Sequence, residues 1–125
     1  MLLEKRPKYL NLFRIRLPIP GIVSILHRVS GFGLFILLGL LLWVFQVSLS
    51  SQEGFEEVSG YFNLWLVKIV LIGVIWAFAH HLIAGIRFLL LDLHVGVELF
   101  TARLSSALVL ASSAVVTLYF AVVLW

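Results

Sequence analysis

The last 22 residues of this 125-residue chain, Leu104 to Trp125, contain no charged side chain. About 20 apolar residues in a helix cross the ~30 Å hydrocarbon layer of a bilayer, so this run is long enough to span one. Phe32 to Phe45 is uninterruptedly apolar and extends backward through Ile19–Ser30 with four polar interruptions. Leu64 to Ala79 holds only Lys68 as a polar group, and the apolar pattern continues past His80 and His81 to Leu91. No water satisfies the backbone inside a membrane, so spanning segments are helices or closed barrels, and barrels need alternating strands. The runs predict an all-α membrane protein with three transmembrane helices near 21–49, 61–91 and 103–125. Pro18 and Pro20 suit the first helix's start, where a missing N–H costs least.

Composition removes the other classes. The chain is 62% hydrophobic and 12% charged, with mean hydropathy +1.14, against roughly 45–50% and ~25% for soluble domains. The same numbers exclude disorder. The absence of cysteine excludes a disulfide framework, thiolate iron–sulfur and zinc sites, and covalent CxxCH haem attachment. The net charge of +3 is no nucleic-acid footprint, because its basic residues cluster beside the spans. With short connections, residues 1–125 form a single transmembrane domain led by a cytoplasmic segment, 1–20. The first span begins too late and runs too long for a removable signal peptide. Lys5, Arg6, Lys8, Arg14 and Arg16 precede it, the first connection holds only Glu53, Glu56 and Glu57, and Arg87 and Arg103 bracket the second. The positive-inside rule then predicts a cytoplasmic N-terminus and an outside C-terminus. In a bacterium the protein would sit in the inner membrane.

An ionisable group inside lipid is costly, so each is a candidate functional residue. Ser24, His27 and Arg28 fall at i, i+3 and i+4, on one face of the first helix. An arginine this shallow can also simply snorkel, but the stripe combines a hydroxyl, an imidazole and a guanidinium that suit a carbonyl or carboxylate ligand. Ser30, Gly31 and Gly33 follow, small enough for close helix contact. His80 and His81 lie deeper, ~15 Å from the inner end of the second helix. Adjacent residues point about 100° apart, so they cannot serve one site. Neutral imidazole is a common haem ligand. Ala77, Ala84 and Gly85 beside His81 offer a groove for a flat macrocycle, whereas Trp76 and Ile83 crowd His80. His81 is the better candidate. Arg87, ~9 Å further inward, could meet haem propionates with Arg28, or could be a plain flank residue. Asp92 and His94 at the helix exit are solvated or relay protons. Lys68 reads as a snorkelling residue, Trp43, Trp65 and Trp125 as an aromatic belt, and the third helix as packing.

Ser24-Ile-Leu-His-Arg-Val-Ser-Gly31 resembles the first-helix signature of the cytochrome b556 subunits of succinate dehydrogenase. His81-Leu-Ile-Ala-Gly-Ile-Arg87 followed by Asp92 resembles that family's HxxxGIR…D signature. Arg6-Pro7 with Leu10 and Leu12 is similar to its RPxxLxL entry, and Ser48–Phe55 to its SLSSxEGF connection. The resemblance covers essentially the whole chain in order. It implies a subunit that is one half of a two-subunit helical anchor sharing one haem b, docked to an iron–sulfur subunit and a flavoprotein subunit. Those partners oxidise succinate in the tricarboxylic acid cycle and pass electrons to ubiquinone. It implies His81 as the axial ligand of the haem iron, with the second ligand from the other anchor subunit. His27, Arg28 and Arg87 would lie in the propionate region, Ser24 and Arg28 at the quinone, and Asp92 on a possible proton route. No residue of this chain would be catalytic toward succinate. Phe88 stands where relatives often carry a second histidine. His27 as an intramolecular second ligand stays open, although its depth differs from that of His81 by ~6 Å on helical rise.

Two other functions compete. A fumarate reductase anchor would run the reaction in reverse; His81 disfavours its haem-free type, and the scarcity of deep histidines its two-haem type. A non-redox small membrane subunit would leave assembly and spectrum unchanged in His81→Ala.

Overall fold

The computed structural model describes residues 16–125. Lys5, Arg6, Lys8, Arg14 and the RPxxLxL stretch lie outside the described residues. Four helices follow in order: α1 (Ile19–Ser50), α2 (Gln52–Tyr61), α3 (Trp65–Asp92) and α4 (Leu99–Leu124), with no strand among the described residues. α1, α3 and α4, of 32, 28 and 26 residues, are long and apolar enough to span a membrane. At about 1.5 Å per residue they exceed the hydrocarbon thickness, so their ends reach beyond it or the helices tilt. They match the three expected spans, with α1 starting two residues and α4 four residues earlier than expected.

The bundle is inside out relative to a soluble core. Its buried residues are small or polar, among them Val23, Ala84, Val109, Ser30, Ser106 and Ser113, while Phe32, Phe35 and Phe78 are exposed. Lipid is as apolar as leucine, so large side chains gain little by turning inward, and small ones let helices approach. Ser106, Ser113 and Thr117 donate their hydroxyls to carbonyls of α4 itself, at 2.6, 3.0 and 2.7 Å. That satisfies them without a partner from another helix. Where α1 ends and α3 begins, the Lys68 ammonium lies 5.7 Å from the ring centre of Trp125, tying α3 to the end of α4.

Where the sequence pattern predicts a connection over 49–60, Gln52–Tyr61 form a short helix, α2. The Ser51 hydroxyl accepts the N–H of Gly54 at 3.0 Å, capping the new helix directly after α1. Gly54 has a steric reason: a Cβ there would stand 2.5 Å from the carbonyl oxygen of Val47 in α1. At the other end of the bundle, α3 closes with a Schellman motif. His94, at φ 62°, donates its N–H to the Leu91 carbonyl at 2.9 Å, and Val95 to that of Leu90 at 3.0 Å. His94 thus fills the left-handed position usually taken by glycine, and Asp92 is exposed as the final residue of α3.

Gly54→Ala is expected to lower the thermal stability of the purified protein by about 1–3 kcal/mol through overpacking against a backbone carbonyl that cannot give way. Ser51→Ala should cost about 1 kcal/mol. Thermal unfolding in detergent measures both, and equal stability of Gly54→Ala and wild type would contradict the close approach.

Candidate functional site

The site lies where α1 crosses α3. The imidazole rings of His27 and His81 stack face to face, with centroids 4.2 Å apart and planes within 4°. The two ring centroids can differ in depth by at most their 4.2 Å separation, less than the ~6 Å expected from helical rise. Gly85 and Gly31 permit the crossing: a Cβ on Gly85 would lie 3.4 Å from His27 Nε2, and one on Gly31 only 2.6 Å from His81 Cε1. Phe88 packs on His27 with ring centroids 5.1 Å apart.

The groove of small residues expected beside His81 is therefore not open. Ala84 is fully buried in a cluster with Val23 and Val109, and Gly85 lies under the His27 ring. Small side chains that could have bedded a macrocycle have admitted a helix instead.

His81 is half-buried, and its Nδ1 is 3.0 Å from the His27 carbonyl oxygen. A carbonyl only accepts, so Nδ1 carries the proton and donates. The lone pair of the ring is then on Nε2, to which no described residue hydrogen-bonds. Ser30, buried on α1, donates its hydroxyl to the same carbonyl at 3.0 Å and stands 3.5 Å from Nδ1.

His80 has the opposite situation. It is fully enclosed, stacks on Trp76 at 5.2 Å, and neither ring nitrogen finds a partner among the described residues. Arg87 shares its face, being seven residues on and hence nearly in line on a 3.6-residue helix. The Arg87 guanidinium is buried against α4, where Nε donates to Ser105 Oγ at 2.9 Å and Nη2 to the Ala102 carbonyl at 3.1 Å. The structure thus directs Arg87 to the α3–α4 seam and away from the face of His81. The spacing of His80, Ala84 and Arg87 was the available signal for a shared inward stripe.

Ser24 is half-buried and Arg28 is exposed, one turn apart on α1 and next to His27, and neither hydrogen-bonds to a described residue. Among the described residues this leaves a hydroxyl and a cation without a hydrogen-bond partner beside the histidine pair.

Three helices long and apolar enough to cross a membrane thus bring together a half-buried imidazole whose Nε2 is unbonded among the described residues, a hydroxyl and a cation, donor types whose chemistry suits a metal centre or a carbonyl. Comparison with known proteins makes the assignment specific. Residues 3–120 match the family described as the succinate dehydrogenase/fumarate reductase transmembrane subunit. The chain is similar to the succinate dehydrogenase cytochrome b556 subunit of Paracoccus denitrificans, with 34% identity across 88% of this chain and 85% of the relative. The subunit of that name from Coxiella burnetii is 32% identical over 97% and 98%, and that of Rickettsia felis 30% over 92% and 90%. This chain belongs to the family of succinate dehydrogenase cytochrome b556 membrane subunits, and it is a multi-pass membrane protein.

Arg87 and His80 predict opposite responses. Arg87→Leu removes the two hydrogen bonds that tie α3 to α4, while Ser105 and Ser106 keep their own bonds to the Ala102 carbonyl, and should lower thermal stability by about 1–3 kcal/mol. Arg87→Lys should not restore it, because one ammonium does not reproduce the two-pronged guanidinium contact. His80→Leu removes two unsatisfied nitrogens and should leave stability unchanged or raise it. A loss in His80→Leu as large as in Arg87→Leu would contradict this assignment.

Proposed function

We propose that this chain is the haem b-binding membrane anchor of a succinate dehydrogenase in a bacterial inner membrane, with its N-terminus cytoplasmic. One observation carries the reading: His81 holds its Nδ1 proton on a backbone carbonyl while Nε2 stays unbonded on a half-exposed ring. A ligating histidine needs that arrangement, with the non-metal nitrogen fixed by an acceptor. His80 does not fit the role, because its ring is fully buried and offers no open face to a macrocycle. His27 does not fit as the opposing ligand either. Its ring is stacked on that of His81 with centroids 4.2 Å apart, so the two imidazoles would not hold one haem between them. A second ligand from the other small anchor subunit, as the family resemblance implies, accords with this.

When bound, haem b supplies a one-electron store near the quinone. The chain's own residues bind and orient. His27 and Arg28 suit the propionate carboxylates, and Arg87, engaged by α4, holds the fold. Ser24 donates its hydroxyl to a carbonyl of ubiquinone, and the Arg28 guanidinium stabilises the negative charge that develops on oxygen as electrons arrive. Asp92, exposed at the same end of the bundle, is suited to deliver protons from water. Succinate chemistry belongs to the flavoprotein subunit, with the iron–sulfur subunit between it and the membrane, so this chain is a non-catalytic electron-transfer anchor. The relatives' names favour succinate dehydrogenase over fumarate reductase.

The test is a reduced-minus-oxidised spectrum of the complex purified through this chain. Wild type and His80→Ala should show a b-type α band, and His81→Ala should lose or shift it. A featureless spectrum from haem-replete wild type would overturn the reading. In the same complexes, Ser24→Ala and Arg28→Leu should reduce succinate–quinone activity by about 10–100-fold, the worth of a hydrogen bond to a charged group. Succinate oxidation with a soluble dye as acceptor should persist. Loss of both activities together would contradict a quinone-site role.

A further inference from the structure

Three features of α1 converge on one side chain of α3. The His27 carbonyl accepts the Nδ1 proton of His81 at 3.0 Å. The Ser30 hydroxyl, fixed by its own bond to that carbonyl, presents its oxygen 3.5 Å from the same nitrogen. Gly31 is the floor under the ring, since any Cβ there would collide with His81 Cε1 at 2.6 Å and crowd Nδ1 at 3.0 Å. Ser30 is buried, so its oxygen reaches His81 without water competing.

We propose that Ser30 and Gly31 are positioning residues for the His81 ligand: α1 sets the tautomer, seat and basicity of a ligand that α3 carries. The inference rests on the haem-ligand reading of His81 and goes beyond it by assigning the outer support to the first helix. Lone pairs from a carbonyl and a hydroxyl facing Nδ1–H increase electron density at Nε2. A more electron-rich imidazole favours ferric over ferrous iron and lowers the midpoint potential. The stretch Ser24–Gly31 then divides in two. Ser24, His27 and Arg28 offer their side chains to ligands, while the His27 carbonyl, Ser30 and Gly31 serve His81.

The experiment titrates the haem potential and measures haem per assembled complex in wild type, Ser30→Ala, Ser30→Thr, Gly31→Ala and Gly33→Ala. A Cβ on Gly33 meets nothing within 4 Å, which makes that variant the packing control. Gly31→Ala, which displaces the ring, should lose about 10–100-fold in haem affinity, the usual effect of disturbing an outer-shell partner. Ser30→Ala should assemble normally and raise the potential, and Ser30→Thr should restore it. Gly33→Ala should match wild type. Unchanged potential in Ser30→Ala overturns the proposal for Ser30, and unchanged haem retention in an assembled Gly31→Ala complex overturns it for Gly31. Should Gly31→Ala fail to assemble, the Ser30 pair decides alone. Wild type without haem would instead bring down the underlying reading. Haem lost in His81→Ala but unmoved in the α1 variants would leave the ligand in place and remove its support.

Discussion

The contact between the His27 and His81 rings organises the rest of the molecule. Two flat imidazoles at 4.2 Å can meet only where the backbones come close, and on α1 that closeness requires Gly31, where a Cβ would stand 2.6 Å from His81 Cε1. Stacking also fixes what each ring can do. His27 is pressed between His81 and Phe88, so it shields one face of the pair. His81, anchored through Nδ1 to the α1 backbone, keeps one nitrogen available. The site is therefore a consequence of the helix crossing.

The second seam has a different logic. α3 meets α4 where Ala84 packs on Val109 and where Arg87 bonds Ser105 and the Ala102 carbonyl, a partly polar contact within an apolar molecule. In lipid such groups must find partners inside the protein. Arg87 does so with a hydroxyl and a carbonyl of α4, whereas His80 finds none. The two neighbouring histidines thus have distinct environments: His80 is sealed in the bundle, and His81 is held at its face with a nitrogen turned outward.

The spans were legible in the sequence because the bilayer imposes one requirement that composition states directly: long apolar runs with few charges. The candidate site was legible in part. The spacing of Ser24, His27 and Arg28 and the choice of His81 over His80 came from helical geometry alone. What periodicity does not encode is which face meets which helix. The pattern of small residues beside His81 therefore does not reveal that His27 covers Gly85, nor does the position of Arg87 reveal that it bonds to α4. α2 was hidden because its ten residues are polar and too short to produce a span signal. Ser51 and Gly54, a cap and an obligatory small residue, were visible only as letters of a signature. Ser30 and Gly31 likewise read as small residues for packing, and only coordinates put them against His81.

The central claim is that iron is bound by His81 through Nε2 while Nδ1 stays on the His27 carbonyl. Locating iron in the purified complex by anomalous scattering at its absorption edge tests this directly. Iron is expected within bonding distance of His81 Nε2, with His27 stacked beside that ligand and a second ligand from a partner chain. Iron bonded to His27 or His80, or no iron beside this crossing in a haem-replete complex, would contradict it.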